Sequence, residues 1–106
     1  MAQVLKNSYS QPSANTDTLI YTCPSATATV ISNINICNRN STSVTFQVFR
    51  KVLGSTPSVY KYADVVLAGN DTFNRVSGDV LIATDQLYVR ASSTLVDFEI
   101  SYVETS

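Results

Sequence analysis

Histidine is absent from this 106-residue sequence, and so is tryptophan. Without histidine the commonest general base and metal ligand is missing, and neither a Ser-His-Asp nor a Cys-His arrangement can be built. Glycine occurs three times and never as a phosphate-cradling loop. The two cysteines, Cys23 and Cys37, fall short of the four ligands in paired spacing that structural zinc needs. They are either bridged or two small reduced side chains. Charge is also scarce: seven basic and eight acidic residues, scattered singly, leave a net charge of −1. That balance carries no electrostatic footprint for nucleic acid. No apolar stretch approaches the roughly 20 residues that cross a bilayer. Residues 1–17 hold one lysine and no apolar core, so no signal peptide is expected and folding in a cytoplasm is. The expectation is a protein that is not an enzyme, binds no cofactor and touches neither nucleic acid nor membrane.

What the sequence has in abundance is strand-forming residues. Thirteen Val, twelve Thr, six Tyr and four Phe dominate it, against two Glu, three Lys and four Gln. β-branched and aromatic side chains fit a pleated, half-buried surface. The length suits one domain. A domain of this size buries only about 65% of its unfolded surface, so partner contacts add to its stability. Residues 1–16 stand apart: a Val4-Leu5 patch is followed by a polar stretch with little to bury. They read as an extended N-terminal arm, or else as an edge strand, ahead of a β domain at 17–106.

From Asp17 onward short strands alternate with turns. Residues 17–22 form an apolar run closed by Cys23-Pro24-Ser25. In 27–37, Ala28, Val30, Ile34 and Ile36 share one face, opposite Thr27, Thr29, Asn33 and Asn35. Strand 43–53 sets Val44, Phe46, Val48 and Val52 against Thr45, Gln47 and Lys51, and 54–57 breaks it. Strand 59–67 follows, then a short piece at 72–76 with a turn signal at Ser77-Gly78-Asp79. Strands at 80–83 and 86–92 come next. In 95–103, Val96, Phe98, Ile100 and Tyr102 point inward, with acidic residues outward that would guard a sheet edge. Seven to eight strands at this spacing predict an all-β, antiparallel β-sandwich, Ig-like or jelly-roll-like.

Few residues suggest a site. Asp71, Asp79 and Asp85 lie near turns, where they either converge on calcium or bond their own turn backbone. Tyr60 and Tyr62, two apart with Lys61 between them, form either a contact strip or a partly buried face. Serine and threonine together make up 26 residues, which suits hydrated contacts built from short hydrogen bonds.

Three stretches carry a resemblance: Thr27-Ala28-Thr29-Val30-Ile31-Ser32-Asn33-Ile34-Asn35-Ile36-Cys37-Asn38-Arg39, the run from Ala63 to Phe73 with Leu67-Ala68-Gly69-Asn70-Asp71-Thr72, and the run from Leu81 to Ser93. Over 27–104 the chain resembles small virion structural proteins of tailed bacteriophages. The resemblance implies a hairpin-like turn at 67–72, an Asx-type strand start at Asp85, and Val89, Ala91, Val96 and Phe98 in the core. It implies a virion component without fixing its place on the particle; the preferred expectation is a capsid decoration (cement) protein on the phage head that clamps neighbouring major capsid subunits, self-associated as a homotrimer. Its partner-binding residues would be Val4, Leu5, Tyr9 and Pro12 in the arm, with Tyr60 and Tyr62 as a second patch. A tail, baseplate or fibre-attachment accessory and a carbohydrate-binding β-sandwich module are the alternatives.

Overall fold

The computed structural model describes residues 3–52 and 59–106, and of Val52 the backbone only. Eight strands form it: β1 (Gln3–Ser10), β2 (Thr18–Thr22), β3 (Ala28–Asn38), β4 (Val44–Val52), β5 (Val59–Leu67), β6 (Thr72–Leu81), β7 (Asp85–Ala91) and β8 (Val96–Thr105). They build two four-stranded antiparallel sheets, ordered β1-β8-β3-β6 and β2-β7-β4-β5. The β-sandwich is therefore there, and its topology chooses between the two expected types. First pairs with last, second with seventh, third with sixth and fourth with fifth. Such a ribbon, folded over itself so that β3 meets β8 and β4 meets β7, is an eight-stranded jelly roll.

Valine, isoleucine and phenylalanine at alternate positions put one face of each sheet inward. Val44, Phe46 and Val48 of β4 meet Leu87, Val89 and Ala91 of β7 and Val96, Phe98 and Ile100 of β8, all buried. Fully burying each large side chain contributes about 1.5–3 kcal/mol. Val89, Ala91, Val96 and Phe98 thus fill the core as expected. The gap at 54–57 lies outside the described residues, as does the Val52 side chain.

Several expectations are corrected. Residues 3–10 are not a free arm: they pair with β8 as an edge strand, which gives their backbone groups partners that a polar arm lacks. In β3 a register shift between Ile31 and Asn33 reverses the alternation. Ile31, Ile34 and Ile36 are consequently buried, while Val30 turns outward. Ser77-Gly78-Asp79 is no turn but lies within β6, where that same shift leaves extra residues opposite β3. A lone glycine inside a strand marks a bulge of this kind. The bend at 68–71 carries the chain from one sheet to the other, so it is not a hairpin. Finally, β8 lies between β1 and β3, so its outward acids guard no edge.

Candidate assembly interface

Both outer faces carry an apolar row that crosses every strand. On the β1-β8-β3-β6 sheet the register aligns Leu5, Val103, Val30 and Val80 directly opposite one another. Leu5 is 75% exposed, Val80 51% and Val30 41%. On the other sheet the row is Leu19, Tyr88, Phe49 and Tyr60. Here the rings cover one another: Phe49 stacks on Tyr88 with centroids 5.6 Å apart and tilts against Tyr60 at 4.9 Å. Phe49 is buried by this packing outside the main core, with Lys51 Nζ 5.0 Å from the Tyr88 centroid. Aligned side chains on neighbouring strands interact directly.

The residues predicted for partner binding separate. Leu5 and Tyr9 point outward from β1 and are widely exposed. Val4 alternates with them and lies on the inner side with Lys6 and Ser8, at the rim of the sandwich. Pro12 is buried and offers no surface. Tyr60 and Tyr62 do not share a face. Tyr60 pairs with Phe49 and Tyr62 with Val48, so Lys61 is an extra residue that turns the alternation over. Tyr62 packs inward on Phe46 and Phe73, at 6.2 and 5.1 Å, and Tyr60 stays on the outer row. Lys61 reaches Asp79 at 2.7 Å, beside a cleft of about 300 Å³ between the sheets. Val30, Val80, Val103, Leu19 and Phe49 escaped the sequence reading. Alternation gives faces, but only register aligns residues of four strands into one row.

The aspartates do not converge. Asp71 accepts from Thr72 N at 2.8 Å and Asp85 from Ile82 N at 3.2 Å, each within its own turn. Asp79 bonds Ser77 and Lys61. Burial pushes the Asp79 carboxyl up, but the bonds from Lys61 and Ser77 outweigh it and hold the group below its ordinary value. Among the described residues no three His, Cys, Asp or Glu side chains gather to hold a metal. Both cysteines are free: Cys23 is buried, with its sulfur 3.3 Å from Thr29 Oγ1, and Cys37 is half-buried.

One polar network joins the two sheets. Tyr21 of β2 hydrogen-bonds Thr29 of β3 at 2.8 Å and donates to Glu104 of β8 at 2.6 Å. Glu104 in turn meets Lys6 of β1 at 2.9 Å. Hydrogen bonds from Tyr21 and Lys6 hold the Glu104 carboxyl below its usual range. Burial, then the bond to Glu104, pushes the Tyr21 phenol well above its ordinary value. A neutral phenol clamped to a carboxylate is a strut between sheets.

No protein-family model matches the chain, and no curated protein matches it. Solved structures do. A chain of the T13 viral particle of infectious bursal disease virus aligns over 96% of this chain and 30% of its own length, with TM-score 0.59 and 8% identity. A chain of the infectious bursal disease virus Gx strain aligns over 98% and 33%, with TM-score 0.58 and 10% identity. The chain thus spans about a third of the proteins it resembles. At this identity the likeness is one of fold alone.

Proposed function

We propose that this chain is a virion structural protein that works by packing against other protein subunits, without catalysis. The observation that carries the reading is the pair of apolar rows, one on each outer face. An isolated β-sandwich turns polar side chains to water on both outer faces, and exposed apolar patches mark interaction surfaces. The jelly-roll likeness to viral particle proteins over nearly the whole chain supports the same reading.

Within the virion, the role that fits two binding faces on one slab is a capsid decoration protein. The slab measures 45 × 28 × 18 Å and would clamp neighbouring shell subunits. Gold-labelled antibody against this chain on intact particles tests both levels. Label spread over the head at high copy number is the expected result. Label at the tail would replace decoration by a tail accessory, and particles without the chain would end the virion reading.

A further inference from the structure

Four edges close the two sheets: β1 and β6 in one, β2 and β5 in the other. A free edge leaves alternate N–H and C=O groups unpaired and templates another strand, so folded proteins blunt edges by bulges, shortness or charge. Three edges here are blunted. β2 has 5 residues and shifts register between Leu19 and Tyr21. β5 shifts twice opposite β4, and Asp64 turns to a φ of 50°. β6 shifts opposite Ile31 and Asn33. β1 has no such interruption: Gln3 to Ser10 pairs residue by residue with Thr105 to Phe98. Its one charge among the described residues, Lys6, is engaged by Glu104.

We infer that β1 is an interaction edge, and that its occupant is β1 of a second copy of this chain, paired antiparallel across a two-fold axis through Asn7. The strand itself argues for the second copy. Two equivalent edges meet antiparallel only about an axis normal to the sheet, which keeps outward residues opposite outward residues. Two registers then cover most of β1. With Lys6 on the axis, two ammonium groups meet and Leu5 faces Asn7, and like charges directly opposite are unfavourable. With Asn7 on the axis, Leu5 faces Tyr9 of the other copy twice, Lys6 faces Ser8 and Val4 faces Ser10. That register pairs the two most exposed apolar side chains of β1, Leu5 at 75% and Tyr9 at 68%. It also extends the row Val80, Val30, Val103, Leu5 by the second copy's Tyr9, giving one continuous eight-stranded sheet.

The inference stands apart from the virion role and replaces the expected three-fold association by a two-fold one. The interface is small, so association in the micromolar range is expected. Sedimentation velocity on the full chain from about 1 to about 200 µM brackets that range. It should show the 11.5 kDa chain in equilibrium with a species of twice its mass. Asn7→Lys and Asn7→Asp each place like charges on the axis and should weaken the dimer about tenfold or more, while their equimolar mixture restores it. If either variant fails to fold by circular dichroism, Tyr9→Thr, which removes both Leu5–Tyr9 pairs, should weaken the dimer in its place. A wild-type chain that stays monomeric, forms trimers, or dimerises regardless of these substitutions overturns the inference.

Discussion

Asn38 is a polar side chain with no exposure at all, and the reason lies in its partners. Its amide nitrogen is shared among the carbonyls of Thr42, Leu67 and Ala68, at 3.0, 3.2 and 3.0 Å, and its oxygen accepts from Asn40 N at 2.9 Å. One side chain thereby ties the β3–β4 connection to the β5–β6 connection. The two backbones approach so closely that a Cβ on Gly69 would stand 2.2 Å from the Ser41 carbonyl oxygen. Asn38→Ala leaves buried carbonyls unpaired, and each costs about 1–3 kcal/mol when no water replaces the donor. The expected loss is about 2–4 kcal/mol, read as a lower urea midpoint with an unchanged slope. In the sequence, Asn38 is legible as part of a turn after β3. Its burial is not, because two of its partners stand about thirty residues further along and come near only through the fold.

At the scale of elements, strand positions follow from composition and alternation, whereas strand phase does not. The bulge at Ser32 and Asn33 and the extra residue Lys61 each reverse the inward face partway along a strand. Alternation read from one end then places Val30 in the core and Tyr60 beside Tyr62. A bulge is fixed by what the neighbouring strand needs, so a single strand's sequence hardly announces it. The rows on the outer faces depend on that phase, which is why they were hidden too. The network of Lys6, Glu104, Tyr21 and Thr29 is likewise a property of β1, β8, β2 and β3 together. Its charges make stability depend on pH. Glu104 is held below its ordinary 4.5 in the folded chain. The stability it contributes is therefore complete above that value and is lost as pH falls through the lowered one. Lys6 is raised above 10.5, so its share is complete below that and lost on the alkaline side. Urea midpoints measured from about pH 7 down to about pH 3 should fall on an acid limb that Glu104→Gln makes shallower. An acid limb unchanged by Glu104→Gln would assign it to other carboxylates.

Across the whole molecule, the ribbon topology makes the first strand a structural member. β1 closes onto β8, its Ser8 hydroxyl bonds the Tyr102 hydroxyl at 2.9 Å, and its Lys6 holds Glu104. Nearly every strand pair joins distant parts of the chain, so folding should fall in the millisecond-to-second range of non-local β topologies. Deleting residues 3–10 would strip β8 of a neighbour, leave its edge open and uncover the rim over Tyr102. The backbone ladder and the hydroxyl pair together are worth on the order of 3 kcal/mol, which lowers Tm by roughly 12–20 °C for a domain of this size. The shortened chain should also bind more of a dye that reports exposed apolar surface. The measurement belongs well below micromolar concentration, where the proposed edge-to-edge dimer is dissociated and cannot mask the loss. A detachable arm would behave otherwise, leaving Tm unchanged and removing only the grip on a neighbour. Thermal melts of the two chains side by side therefore separate a strand from an arm, and the unbroken register from Gln3 to Ser10 argues for the strand.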